Sequence, residues 1–204
     1  RVMYDKFQPT TAYAVMADPK TGAIMAMAQF PTFDPNDRRA MNPDHWRNRI
    51  LNDGFEPGSV MKSVAVAGAL DYGVVTLDDL FDCENGCWVY CRKALRDSGH
   101  SYGLLRVRTI IQKSSNIGVA KFALKMGEAR LFQTLSRFGF GAPTGIGFQD
   151  EAPGIFRPLP KWDGLSVTRF PIGQGILVTP LQLVQAYCAL ANDGLMMQLH
   201  VVDR

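Results

Sequence analysis

The sequence predicts a mixed fold of the α/β (α+β) class, in which a β-hairpin in the first part of the chain is followed by several helices. Two apolar runs, 12–17 and 23–28, flank a short polar segment and predict the strands of that hairpin. The stretches 60–70, 106–113 and 117–126 predict helices, because their apolar residues continue beyond the length of a typical strand or recur at helical spacing.

The segment that joins the two runs is Asp18-Pro19-Lys20-Thr21-Gly22. Asp, Pro and Gly each favour tight turns, Gly because it adopts positive φ without strain. We therefore interpret this segment as the hairpin turn. The next stretch, 34–52, is polar and predicts an irregular connection into the first long helix.

The second half of the chain predicts two further helices, over 129–137 and 181–192. Between them, 139–162 is rich in Gly and Pro and is interpreted as a turn-rich surface connection. No internal repeat or low-complexity linker divides the sequence. One domain, residues 1–204, is the expectation.

Composition favours an ordinary globular protein. The chain has 204 residues, 47% of them hydrophobic and 20% charged, with a net charge of +3. A local cluster of Arg38, Arg39, Arg47 and Arg49 is interpreted as solvated surface, so nucleic acid is not an expected partner. No apolar stretch reaches 18 residues, and no signal sequence is present in the chain.

Ser59 and Lys62, in the run Glu56-Pro57-Gly58-Ser59-Val60-Met61-Lys62, form a candidate catalytic pair. Positions i and i+3 share one face of a helix, so the amine can reach the hydroxyl. Ser59 would lie in the first turn, where backbone N–H groups favour a developing oxyanion. An apolar environment would lower the pKa of Lys62 and make a neutral base accessible.

The alternative interpretation is a chance match on a solvated helix face. With 8 serines and 8 lysines in the chain, about 0.3 Ser-x-x-Lys matches are expected by chance. The helix is apolar all round, however, which predicts burial. A lysine in the middle of a buried helix favours the catalytic interpretation.

A second motif, Ser114-Ser115-Asn116, lies between the predicted helices 106–113 and 117–126. Ser and Asn before an apolar run commonly cap a helix, and this structural role is the alternative here. Both roles are compatible, because a capping loop can still present the Ser114 hydroxyl and the Asn116 amide to a cleft.

Together these motifs resemble the transpeptidase domain of class B penicillin-binding proteins, most closely the division-specific (septal) type. The resemblance extends over nearly the whole chain. The matching segments are 17–24, 30–36, 47–49, 55–62, 67–75, 112–118, 138–141 with 144–145, and 173–183.

The resemblance implies a penicillin-binding protein/serine β-lactamase-like fold, with a mainly antiparallel sheet flanked by helices plus an all-helical part. The family's third motif, Lys-Ser/Thr-Gly, follows the Ser-x-Asn loop. Lys20-Thr21-Gly22 spells it but precedes Ser59, so we interpret it as the hairpin turn alone. The expectation is a partial domain, truncated before the third motif and the C-terminal strands.

For the site, the resemblance implies that Ser59, Lys62 and Ser114 are catalytic and that Asn116 binds substrate. The substrate is a peptidoglycan stem peptide ending in D-Ala-D-Ala, cross-linked through a Ser59 acyl-enzyme during septal synthesis. β-Lactams acylate the same serine. No metal or organic cofactor is implied. The expected partners also include cell-division proteins.

The implied location is the extracytoplasmic face of the bacterial cytoplasmic membrane, reached through an N-terminal anchor absent from this chain. Two alternatives stay open. A serine β-lactamase would deacylate with water, but the class A Glu-x-x-x-Asn segment does not occur after Asn116. A non-catalytic β-lactam sensor or division scaffold would keep the fold without turnover.

Four cysteines complete the candidate residues. Cys83, Cys87 and Cys91 recur every four residues, which is not the usual zinc-ligand spacing. A loop with reduced or locally paired thiols is the expectation, and a site with His100 as fourth ligand is the alternative. Cys188 lies in the helical stretch 181–192 and is predicted to be buried.

Overall fold

The structure is a computed structural model that describes residues 2–37 and 42–202. Within these residues it combines helices with short antiparallel strand pairs, as the α+β prediction requires. Arg38 and Arg39 of the basic cluster lie outside the described residues.

The helices are α1 (Val2–Phe7), α2 (Pro43–Trp46), α3 (Arg49–Asn52), α4 (Met61–Asp71), α5 (Val107–Lys113), α6 (Asn116–Met126), α7 (Glu128–Arg137), α8 (Ser166–Arg169) and α9 (Pro180–Ala191). The strands are β1 (Ala12–Ala17), β2 (Ile24–Phe30), β3 (Leu80–Asp82), β4 (Cys87–Tyr90), β5 (Lys93–Arg96) and β6 (Leu104–Arg106). They pair antiparallel as β1–β2, β3–β6 and β4–β5. Single 3-10 turns lie at Gly58–Val60, Glu84–Gly86, Leu159–Lys161 and Phe170–Ile172. No helix in the described ranges is long and apolar enough to cross a bilayer.

The chain divides into two compact units. The first comprises residues 1–54, 141–154 and 178–204, and it contains the β1–β2 hairpin with α9 packed against β1. Its buried core consists of Ile50, Leu51, Ile146, Leu181 and Leu199. The single domain expected over 1–204 stays a prediction.

The hairpin turn is built as predicted. The Asp18 carboxylate accepts hydrogen bonds from the Lys20 N–H at 2.8 Å and the Thr21 hydroxyl at 3.1 Å. Gly22 has a φ of +84°, a conformation that glycine adopts without strain. Lys20, Thr21 and Gly22 are therefore turn residues between β1 and β2.

The second unit comprises residues 55–140 and 155–177 and contains all four candidate site residues. Helix α4 packs against α6 and α7. Close approach to α7 depends on Gly68, where an added Cβ would lie 2.4 Å from the Thr134 side chain. The apolar composition of α4 thus predicts its burial correctly.

Three stretches differ from the predictions. The irregular connection over 34–52 in fact contains α2 and α3, whose N-termini are capped by the side chains of Asn42 and Asn48. The segment 139–162 is not only a surface connection, because Phe140 and Ile146 are buried within it. The predicted cysteine loop contains strand β4, which pairs with β5.

Candidate active site

Ser59 lies exposed in the 3-10 turn Gly58–Val60, which leads directly into α4. The turn begins at Gly58, whose φ of +61° favours glycine. Ser59 therefore occupies the start of the helix, as predicted, on the side from which free N–H groups point outward.

Residues 173–175 hold this turn in place. The Gly58 N–H donates to the Gly173 carbonyl at 3.2 Å, and the Gly175 N–H donates to the Glu56 carboxylate at 2.7 Å. A Cβ added to Gly173 would lie 2.2 Å from the Gly58 carbonyl oxygen. The position of the Gly58–Val60 turn, which carries Ser59, thus depends on a close backbone contact that only glycine permits.

Lys62 is buried, with 3% of its surface exposed. Its Nζ donates to the Ser114 carbonyl oxygen at 2.6 Å and lies 2.9 Å from the Ser114 hydroxyl. Burial lowers the pKa of Lys62 from 10.5 to about 8, while the negative charge of Asp97 acts in the opposite direction. At pH 7 about a tenth of such amines are neutral, so a base form is accessible, as predicted.

Ser114 ends α5 in the left-handed conformation, with φ 56° and ψ 38°. This conformation costs a non-glycine residue about 1–2 kcal/mol. It also lets the carbonyl and the hydroxyl of one residue approach the same amine. The strained backbone of Ser114 therefore lies where the candidate chemistry needs its carbonyl and hydroxyl oxygens beside Lys62.

The predicted helix cap is formed by Ser115. Its hydroxyl accepts a hydrogen bond from the Gly118 N–H at 3.0 Å and donates to the Asp97 carboxylate at 2.9 Å. Asn116 is the first residue of α6, and its side-chain Nδ2 donates to the Arg96 carbonyl at 2.7 Å. The capping alternative is thus confirmed for Ser115, and Ser114 beside it is exposed.

Asp97 is a site residue that sequence reasoning misses. It follows β5 and is 9% exposed, and its Oδ1 accepts from the backbone N–H groups of Asn116 at 2.6 Å and Ile117 at 3.1 Å. In the sequence it reads as an ordinary turn residue in Arg96-Asp97-Ser98. Only the fold brings it to the Ser-x-Asn loop.

The cysteines lie in different environments. Cys83 is buried, 3.4 Å from the Ser115 hydroxyl, and burial raises the pKa of its thiol. Cys87 and Cys91 are exposed, and Cys188 is buried as predicted. Among the residues that the structure describes, no group of three or more His, Cys, Asp or Glu side chains is arranged to hold a metal ion.

The structure brings two of the four predicted residues, Lys62 and Ser114, into contact. Asn116 begins α6 two residues after Ser114, and its side chain is bonded to the Arg96 carbonyl. Ser59 lies one helical turn before Lys62 on the chain, but a contact between their side chains stays a prediction. The Lys62–Ser114 pair can transfer protons, because a buried amine and a hydroxyl lie within hydrogen-bond distance of each other.

Comparison with known proteins gives consistent matches. The family model of the penicillin binding protein transpeptidase domain matches residues 12–204. The chain is 34% identical over 194 residues to peptidoglycan D,D-transpeptidase FtsI of Escherichia coli, covering 92% of this chain and 32% of FtsI. It is 33% identical over 184 residues to penicillin-binding protein PbpB of Mycobacterium tuberculosis, covering 89% of this chain and 27% of PbpB.

Solved structures match over nearly the whole chain. The apo transpeptidase domain of Burkholderia pseudomallei penicillin-binding protein 3 has a TM-score of 0.88 and 32% identity, covering 100% of this chain and 56% of that chain. Mycobacterium tuberculosis penicillin-binding protein 3 complexed with ampicillin has a TM-score of 0.91 and 30% identity, covering 98% of this chain and 44% of that chain. The chain spans about a third of the length of the curated relatives it matches.

Proposed function

The chain belongs to the penicillin-binding protein transpeptidase domain family, and we propose that it acts as a peptidoglycan D,D-transpeptidase, which cross-links stem peptides through an acyl-enzyme on Ser59, a serine that β-lactams also acylate. The family and the fold class predicted from the sequence are confirmed. Relatives named peptidoglycan D,D-transpeptidase, such as FtsI, support the reaction type.

The observation that carries the proposal is the contact between Lys62 and Ser114. A buried lysine with a pKa lowered to about 8 has an accessible neutral form, which can act as a base. Its Nζ lies 2.9 Å from a hydroxyl that can relay the proton. Ser59 is the exposed hydroxyl on the preceding helical turn, where a substrate carbonyl can approach it.

In the acylation step, the Ser59 oxygen attacks the carbonyl carbon of the penultimate D-alanine, and neutral Lys62 takes the hydroxyl proton. The backbone N–H of Ser59 donates to the developing oxyanion. The C–N bond then breaks, and the proton passes through the Ser114 hydroxyl to the nitrogen of the departing D-alanine. Asn116 holds an amide of the stem peptide. The product is an ester on Ser59.

In the second step, an amine of a neighbouring stem peptide attacks this ester. The new amide is the cross-link, and a proton returns to the Ser59 oxygen. A β-lactam enters by the same attack, but its ring-opened product stays attached to the serine and blocks the second step. No cofactor takes part in the proposed reaction.

We place the full-length protein at the extracytoplasmic face of the bacterial cytoplasmic membrane, held by an N-terminal anchor. Septal synthesis is the proposed process, and cell-division proteins are the proposed partners. The support is the motif resemblance to the septal type and the similarity to FtsI and PbpB.

The experiment is intact-protein mass spectrometry of the full-length protein after incubation with benzylpenicillin. We expect one stable adduct, which is absent from the Ser59→Ala variant. The matched control is Ser63→Ala, one turn further along α4 and also close to Lys62 in sequence, which should still be labelled. An adduct that persists in Ser59→Ala contradicts the assignment of the nucleophile.

The same samples distinguish the proposed transpeptidase from the two alternatives, a serine β-lactamase and a non-catalytic β-lactam sensor or scaffold. Continuous hydrolysis of penicillin with no lasting adduct indicates a β-lactamase. A stable adduct without cross-linked product from donor and acceptor stem peptides indicates a sensor or scaffold. Formation of both adduct and cross-link supports the transpeptidase.

A further inference from the structure

Asp97 lies beneath the N-terminus of α6 and contacts the residues on both sides of Asn116. Resting on the acylation site proposed above, we propose that Asp97 is a positioning residue for the reaction, which holds the 114–116 turn against Lys62 and provides the negative charge that acts on the Lys62 amine.

The hydrogen bonds of the Asp97 carboxylate are all directed at the start of α6. Oδ1 accepts from the N–H groups of Asn116 and Ile117, at 2.6 and 3.1 Å, and Oδ2 accepts from the Ser115 hydroxyl at 2.9 Å. A carboxylate at a helix N-terminus is favoured by the free N–H groups and by the helix dipole. Asp97 therefore fixes three consecutive residues, 115–117, at once.

Arg96, next to Asp97, holds the side chain of Asn116. The Arg96 carbonyl accepts from the Asn116 side chain at 2.7 Å. With residues 115–117 fixed from β5, Ser114 stays in its left-handed conformation, and its two oxygens stay beside Lys62. The hydrogen bonds of the Asp97 carboxylate go to residues 115–117 and not to Ser59, so its proposed action on the reaction is indirect.

Asp97 also acts through its negative charge. Asp97 is 9% exposed, and little water screens its field at the buried Lys62 amine. Its charge favours the protonated amine, whereas burial favours the neutral one. Asp97 thus influences which fraction of the Lys62 amine is protonated and which fraction is neutral and available as a base.

Three basic residues near α4 form ion pairs. Lys121 pairs with Glu84, Lys125 with Asp79, and Arg137 with Asp71. The charged residues on α6 and α7, the helices packed against α4, are Lys121, Lys125, Glu128, Arg130 and Arg137. Two further titratable groups lie beside the turn: the Cys83 thiol, 3.4 Å from the Ser115 hydroxyl, and Lys113, which directly precedes Ser114.

A purely structural cap would also explain the three hydrogen bonds, and the pH profile separates the two roles. In Asp97→Asn the side chain keeps an acceptor for the two N–H groups but loses the charge. We expect the rate of benzylpenicillin acylation of the full-length protein to fall several-fold. We also expect the midpoint of its rise with pH to move down by about one unit, the size typical of a lost neighbouring charge.

Ser115→Ala is the complementary variant, because it removes the hydroxyl that bonds to Asp97 and to the Gly118 N–H and keeps the charge of Asp97. Here we expect a lower rate with an unmoved midpoint. Asp71→Asn is the matched control, since it removes a carboxylate at the far end of α4, about 13 Å along the helix and beyond the Debye length at physiological salt. This control should change neither the acylation rate nor the midpoint of its rise with pH.

An unmoved midpoint in Asp97→Asn overturns the charge role, and an unmoved rate overturns positioning. If Asp97→Asn does not fold, judged by thermal unfolding, the Ser115→Ala rate decides the positioning role. Failure of the proposed function gives a different result, because the wild-type protein then shows no adduct on Ser59 at any pH.

Discussion

Lys62 and Ser114 are joined through two oxygens of the same residue, since the lysine Nζ lies 2.6 Å from the Ser114 carbonyl and 2.9 Å from its hydroxyl. A carbonyl oxygen can only accept, so one N–H of the amine is committed to it. The amine therefore keeps its orientation whether it is charged or neutral. The hydroxyl, which both donates and accepts, is the group that can exchange a proton.

The acylation rate should depend on pH through this lysine. Burial lowers the pKa of Lys62 to about 8, and the neutral amine is the proposed base. The rate of benzylpenicillin acylation is therefore expected to rise with pH and to level off above about 8. Stopped-flow measurements with a fluorescent penicillin test this. A flat profile across neutral pH would show that Lys62 is not the base.

Lys62→Met should abolish that rise and slow acylation by about 10²–10⁴-fold, the usual contribution of a general base. Methionine has similar bulk and no amine, so the packing of α4 is retained. The control is Lys125→Met, an exposed lysine on α6. Acylation by Lys62→Met at the wild-type rate contradicts the proposed role.

The same variant should reveal a pH-dependent effect on stability. An unfolded lysine keeps its proton up to about 10.5, whereas buried Lys62 releases it from about 8. Between these values the unfolded state binds more protons, so the free energy of unfolding of the wild type rises with pH. We expect the stability of Lys62→Met relative to wild type to fall by about 1–3 kcal/mol across this window. Urea unfolding at both ends of the window measures the difference, and a constant difference would exclude a lowered pKa.

Gly173→Ala should disturb the Gly58–Val60 turn, which carries Ser59. The new Cβ would meet the Gly58 carbonyl oxygen at 2.2 Å, and the φ of +75° adds strain. We expect a loss of stability of about 1–3 kcal/mol together with slower acylation of Ser59. Gly73→Ala is the matched control, because its φ is +62° and its Cβ would meet nothing within 4 Å. Equal acylation rates in the two variants would contradict the role of the contact.

The thiols should react at two different rates. Cys87 and Cys91 are exposed, whereas Cys83 and Cys188 are buried and have raised pKa values because of that burial. Iodoacetamide is expected to modify two thiols quickly and two only on unfolding, as counted by mass spectrometry. Cys87→Ser should remove one fast site. Fast modification of Cys83 would show that the structure around Ser115 opens readily.

Local patterns in the sequence predict much of this arrangement. The turn chemistry of Asp18 and Gly22 specifies the hairpin, and the apolar surroundings of Lys62 predict its burial and the direction of its pKa shift. The Ser-x-Asn motif predicts both a cap and a loop, because each follows from residues within one helical turn.

The parts that escape prediction depend on long-range contacts. Asp97 lies about 20 residues before the loop that it holds, and nothing in Arg96-Asp97-Ser98 indicates that partner. The short helices α2 and α3 are missed because single-turn helices carry little periodicity, although Asn42 and Asn48 are recognisable caps once the bounds are known. Gly173 begins the family-matching segment 173–183, but nothing in the sequence indicates its contact with Gly58.

The link between Glu56 and Gly175 joins residues 119 positions apart. During synthesis on the ribosome, the serine and its lysine therefore emerge long before the segment that seats their turn. A nascent chain can form the hairpin and begin the helices, yet the turn that carries Ser59 meets its partners only when residues 173–175 have left the exit tunnel. With Ser59 as the proposed nucleophile, reactivity toward penicillin would then report how far translation has proceeded.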